Sequence, residues 1–297
     1  MYQSLYAFIL LLSVMVAAQQ HNPSPNPYLT TTTILNRNYQ KMVKTFKVFM
    51  YEPNQTQLFK FRTEPESLFY SSLHNSTYLT KNAEEAHMFF LPFSHHTSTR
   101  SLARIITRIR NDFPYWNRTL GADHFYLSRA GIPREADRNL VELKKNAVQI
   151  SCFPTPRVRF VPHKDITLPP FLDPHALVIS GGAFCVYGKG NVSWVGEALR
   201  SGCVPVVVAE GPVNDMPFMD VLRWGEMAVF VESEEAVKRV LNESDAWRER
   251  YARMRRLGVV ASRHLLWNHT PLPLDAFNTI MYQLWLRRHT IRYRSTQ

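Results

Sequence analysis

Between Phe184 and Ala209 the chain reads FCVYGKGNVSWVGEALRSGCVPVVVA, and no other stretch restricts the fold as much. An apolar run, Ala183 to Tyr187, enters the tight turn Gly188-Lys189-Gly190; Val192 to Arg200 is patterned as a helix, and Cys203 to Ala209 is a second apolar run. Two strands joined through a helix lie parallel, and a nearly continuous apolar strand is one buried on both faces. The expected fold class is therefore α/β, with helices covering a parallel sheet.

The same alternation appears upstream. Phe46, Val48 and Met50 alternate with Lys47, Phe49 and Tyr51 before Glu52-Pro53-Asn54 closes the strand. Glu64 to Leu73 reads as a helix with Pro65 in its first turn, and Ala86 to Leu91 as a buried strand ended by Pro92. Leu102, Ile105, Ile106 and Ile109 form the apolar stripe of a helix, and Gly121 to Leu127 leads into a further strand. This is one half of a doubly wound sheet. Pro162, Pro169, Pro170 and Pro174 mark a crossing into a second set of units. That set holds a strand at Ala228 to Glu232, a helix capped by Ser233 and two closing helices, the last from Asp275. The expected domains are 45–170 and 175–274, followed by a C-terminal helix and basic tail over 275–297; the Asn-, Thr- and Pro-rich residues 19–44 read as a linker or stalk.

Composition settles the class of partner. The net charge is +11, and eight of those charges fall between Arg248 and Gln297, where ten Arg face only Glu249 and Asp275. Such a balance attracts nucleic acid, an anionic membrane or a phosphorylated small substrate. Leu5 to Ala18 is a 14-residue apolar run ending in Val16-Ala17-Ala18. That is the length of a signal-peptide core and short of the roughly 20 residues that span a bilayer, so residues 1–18 read as a signal peptide or a short signal anchor. Six Asn-x-Ser/Thr sequons, at Asn54, Asn75, Asn117, Asn191, Asn242 and Asn268, agree with a secretory address. That address argues against nucleic acid. Three cysteines, Cys152, Cys185 and Cys203, cannot all pair within the chain and lack metal-ligand spacing, so neither a disulfide framework nor a structural zinc is expected.

The glycine turn supplies chemistry. A strand entering Gly188-Lys189-Gly190 and then a helix gathers backbone N–H groups at a helix N-terminus, a site for phosphate, and Lys189 adds a point charge. Glu197, one turn into the helix, can accept hydrogen bonds from a ribose diol; its alternative is an ordinary solvated helix residue. Around this block the sequence resembles the exostosin-type glycosyltransferases, the plant group that builds cell-wall polysaccharides. KVFMYEP, AEEAHMFFLPFS, FPYWNRTLGADHF, HKDITLP, the 184–209 block, MPFMDVLRW and YQLWLRR follow in the family's order.

The resemblance implies a GT-B arrangement of two Rossmann-like domains, a nucleotide-sugar donor (a UDP-sugar), a polysaccharide or oligosaccharide acceptor and an inverting transfer in the Golgi lumen. It implies type II attachment to the Golgi membrane through the N-terminal segment, partner glycosyltransferases, and no cofactor or metal. Gly188, Lys189, Gly190, Ser193 and Glu197 match the donor block, and Pro217 and Phe218 a loop at the cleft edge. Asp123 and His124 match the N-domain motif, with His124 the candidate base because imidazole titrates near neutrality. Pro92, Phe93 and Ser94 end a strand facing the same cleft.

One departure bears on activity. In the family the Pro-rich crossing is followed by further strand–helix units before the glycine turn, whereas here only Phe171 to Gly182 intervenes. At roughly 30 residues per βαβ unit, about two units are missing. The second domain is expected to be incomplete, which leaves open a catalytically inactive, shortened paralogue that binds glycans or a partner.

Overall fold

The structure is a computed structural model that describes residues 26–52, 61, 63–93, 97–128, 131–132, 140–151, 160–171, 184–187, 195–209, 211, 213, 216–242 and 248–291. Its first unit is a sheet of six parallel strands: β1 (Val48–Met50), β2 (Leu79–Thr80), β3 (Met88–Phe90), β4 (His124–Leu127), β5 (Val148–Ser151) and β6 (Ile166–Thr167), in the order β2-β1-β3-β4-β5-β6. The order reverses between β1 and β3, so this pair is the topological switch point of a doubly wound sheet. β3 explains why such a strand carries no polar residue. Met88 and Phe90 enter one core, Phe89 and Leu91 the other, and all four are buried.

Helices cover both faces. On one lie α2 (Glu64–His74), opened by Pro65 and a Thr63–Glu66 capping box, and the long core it shares with the C-terminal half. On the other lie α3 (Thr99–Asp112), capped by Ser98, and the short α4 (Tyr115–Thr119). α5 (Val141–Asn146) leads into β5. The second unit is a three-stranded parallel sheet among the described residues, β7 (Phe184–Tyr187), β8 (Val204–Val208) and β9 (Val229–Val231), in the order β7-β8-β9. Its helices are α6 (Val195–Ser201), α7 (Glu234–Asn242) and α8 (Arg248–Ser262). The α/β class and the two-sheet, GT-B-like arrangement are as expected, and among the described residues the second sheet has half as many strands as the first.

Two features differ from the sequence reading. Residues expected as linker form α1 (Thr32–Thr45), which buries Leu35 and Met42, while Tyr28 is buried ahead of it and bridges to Leu222. Leu35, Tyr39 and Met42 stand one and two turns apart, an apolar stripe that the Asn- and Thr-rich composition disguised. Cys185 and Cys203 are joined in a disulfide, contrary to expectation. Parallel pairing of β7 with β8 brings their Cα atoms to 5.8 Å, a spacing suited to the bond, and the odd cysteine count hid this pair. The closing helix α9 (Ala276–Arg287), expected from Asp275, is buried almost all round and packs into the shared core. Leu5 to Ala18 lies outside the described residues, as do Cys152 and Trp247; among the described residues no helix is long and apolar enough to cross a membrane.

Candidate functional site

Beyond the carboxyl ends of β1 and β3, where open α/β sheets bind ligands, lies a cleft of about 1050 Å³. Tyr51 and Glu52 follow β1 into it, and Leu91, Pro92 and Phe93 follow β3. α3 forms one wall through Ile105, Arg108 and Asp112, and Tyr70, His74 and Lys81 stand at the other. Pro92 and Phe93 thus sit where the sequence put them; Ser94 lies outside the described residues.

Beneath this cleft runs a buried polar chain. Gly121 makes it fit: its φ is +84°, and a Cβ there would come within 2.8 Å of the Trp116 ring, which packs at 4.8 Å from His124. His124 Nδ1 lies 2.6 Å from Asp123 Oδ1, and its Nε2 lies 2.9 Å from the Tyr51 hydroxyl. Thr119 donates to the same carboxylate, and Arg118 pairs with its other oxygen at 3.2 Å. Burial raises the Asp123 carboxyl, but the hydrogen bonds from His124 and Thr119 and the charge of Arg118 outweigh it and hold the group below its ordinary value. Burial lowers His124 against the pull of Asp123, so the imidazole is neutral. The carboxylate then accepts from Nδ1–H, and Nε2 accepts from the Tyr51 O–H, which burial keeps protonated.

This corrects the expectation for Asp123 and His124. Both are 0% exposed, and His124 is walled by the rings of Tyr51, Phe89 and Trp116, so it touches no acceptor hydroxyl. It stands at the amino end of β4, away from the ligand-binding edge. The pair instead anchors Tyr51, a residue that the KVFMYEP motif contains but that sequence reasoning did not single out.

A second cleft, of about 280 Å³, opens between the units. Pro169, Pro170 and Phe171 come from the crossing, Val195, Gly196, Glu197 and Arg200 from α6, Pro217 from the loop after β8, and Leu265 to His269 from the turn between α8 and α9. Gly196 permits this closeness, since a Cβ there would lie 3.1 Å from Leu265 Cβ. Glu197 is only 7% exposed and accepts two hydrogen bonds from Arg200, at 2.7 and 3.0 Å. Arg200 donates through Nε and one terminal nitrogen, so the carboxylate keeps lone pairs for a ligand. Trp267 is pinned by its Nε1–H, which donates to the Pro169 carbonyl at 2.8 Å.

Of the expected donor residues, the structure brings Glu197 and Pro217 into this one cleft. Phe218 is 1% exposed and belongs to the core, with φ at +58°, so it supports the loop rather than meeting a ligand. Gly188, Lys189, Gly190 and Ser193 lie outside the described residues. Arg200 and Trp267 were missed. Arg200 was legible as the i+3 partner of Glu197, whereas nothing in the sequence brings Trp267 across to Pro169. Among the described residues no group of three or more His, Cys, Asp or Glu is arranged to hold a metal ion.

An Exostosin GT47 domain model matches residues 42–180. The probable glycosyltransferase At3g07620 of Arabidopsis thaliana is 27% identical over 350 positions, covering 90% of this chain and 73% of the relative. The probable glycosyltransferase At5g03795 of the same plant is 26% identical over 90% of this chain and 67% of its own. The probable beta-1,4-xylosyltransferase IRX10 of Arabidopsis thaliana is 23% identical over 80% of this chain and 81% of its own. An alignment of 350 positions exceeds the 297 residues present here, so these relatives carry stretches for which this chain has no counterpart. The chain thus carries an exostosin GT47 domain over residues 42–180 and is similar along most of its length to plant proteins named as probable glycosyltransferases.

Proposed function

We propose that this glycosyltransferase takes a sugar from a nucleotide-sugar donor, a UDP-sugar, and transfers it with inversion to a cell-wall polysaccharide or oligosaccharide in the Golgi lumen. The donor occupies the cleft between the units, with its ribose against Glu197 and its diphosphate bound by Gly188, Lys189, Gly190 and Ser193, which precede α6 in the sequence. The acceptor occupies the switch-point cleft of the first sheet. The observation that carries the reading is the convergence of Glu197, Arg200 and Pro217 with Pro169 to Phe171 on one cleft at the junction of two parallel sheets. The compartment is supported by the apolar N-terminal run, by the sequons and by the Cys185–Cys203 disulfide, which suits an oxidising lumen. Attachment to the Golgi membrane through the N-terminal segment and association with partner glycosyltransferases belong to the same proposal.

Calorimetric titration with UDP tests it. Glu197→Ala should weaken UDP binding by about 1–3 kcal/mol, the worth of hydrogen bonds lost at a buried carboxylate. An unchanged dissociation constant removes Glu197 from the site, and no binding by the native chain removes the donor reading. A second reading, a non-catalytic paralogue that binds glycans or a partner transferase, is favoured by one observation: among the described residues the second sheet has three strands against six in the first. UDP-sugar transfer to wall oligosaccharides separates the two.

A further inference from the structure

The outer face of α3 is unusually basic. Arg100, Arg104 and Arg108 recur at every fourth residue, so they stack one above another about 6 Å apart along the helix. All three are exposed, and the only acid on the helix is Asp112, which pairs with Arg108 at 3.2 Å. With Thr107 and Asn111 they line a shallow groove of about 470 Å³. Arg108 and Asp112 also wall the switch-point cleft, so groove and cleft are continuous. The charged groups on the rest of that cleft, Glu52, His74 and Lys81, come from other elements and leave the ridge itself positive.

We propose that this ridge selects an acidic acceptor, a polysaccharide bearing uronate carboxylates, whose chain lies along Arg100 and Arg104 and enters the cleft past Arg108. The inference rests on the reading of the cleft as the acceptor site and adds the charge of the ligand. Guanidinium groups match carboxylates in paired hydrogen bonds, and a row of them matches a ligand with repeating charge. A cleft of about 1050 Å³ lies at the top of the range for single small molecules, as an extended chain requires. A lipid surface fits less well. Helices that lie on membranes insert an apolar face, whereas Leu102, Ala103, Ile106 and Ile109 of α3 are buried in the core.

The test is calorimetric titration of the full chain with oligogalacturonate and with the fully methyl-esterified oligomer of the same length. The acidic oligomer should bind, more weakly as salt rises, and the ester should bind at least tenfold more weakly. Arg100→Gln with Arg104→Gln should weaken the acidic oligomer by about tenfold, given the modest worth of exposed charge pairs. Arg256→Gln, on the exposed side of α8, should leave it unchanged. Equal binding of acid and ester overturns the inference while the acceptor reading stands. Binding that ignores the double variant, or that falls equally with Arg256→Gln, overturns the assignment to α3. Capture by phosphatidylserine vesicles without affinity for the acidic oligomer also overturns it.

Discussion

At the scale of single residues, adjacent Asp123 and His124 look catalytic in a sequence and turn out to be interior. Nothing in a dipeptide says whether it faces a cleft or a ring of aromatics. Here Phe89, Trp116 and Tyr51 enclose the imidazole, and the pair fixes the tyrosine ring that floors the cleft. A second enclosed histidine, His264, contacts Thr279 at 2.9 Å and Tyr28 at 3.2 Å. Burial first, then the charge of Arg263, lowers it to about 3 from an ordinary value of 6.5. Burial lowers His124 in the same direction. A depressed folded value means the unfolded chain takes up the proton first. Stability is therefore complete above pH 6.5 and is lost as the pH falls toward the folded values, by up to about 1.4 kcal/mol per pH unit for each histidine. Denaturant unfolding at pH 7 and pH 5 should show this slope, and His264→Gln should flatten it; an equal slope in the variant refutes the assignment.

At the scale of elements, strands were legible wherever burial on both faces forced a continuous apolar run, as in β3 and β8. α1 was not, because its buried stripe is only Leu35 and Met42 amid polar residues, and its packing partners come from the far end of the chain. The inter-unit cleft was half legible. Glu197 and Pro217 belong to recognisable motifs, whereas Trp267 enters through a contact spanning 98 positions. The disulfide is an element-scale device as well. Cys185 and Cys203 are 18 positions apart and close a loop whose sequence includes Gly188-Lys189-Gly190 and α6. Replacing both (Cys185→Ala with Cys203→Ala) should cost about 3 kcal/mol of stability, mostly through the unfolded chain. Urea unfolding with and without reductant measures it, and a native chain indifferent to reductant would show that the bond contributes nothing.

At the scale of the whole molecule, one guanidinium joins three distant segments. Arg287, near the end of α9, donates to the backbone carbonyls of Lys164 and Asp165 in the first unit and pairs with Asp220 at 2.8 Å in the second. The HKDITLP and MPFMDVLRW motifs therefore meet in a structural knot, a role their sequences do not announce. Arg287→Met leaves the Asp220 carboxylate with only the exposed His163, at 3.0 Å, and takes a donor from two carbonyls, so it should destabilise the fold by about 2–4 kcal/mol. Thermal unfolding reads this, and a loss below 1 kcal/mol would argue against the knot.

The hydrophobic core running from Phe69 through α9 to Leu199 and Val207 has a mechanical consequence. Halves welded along such a seam do not swing like a clamshell, so substrates must be admitted by rearrangement of side chains and loops at the rim. Small-angle scattering with and without UDP should accordingly return the same radius of gyration.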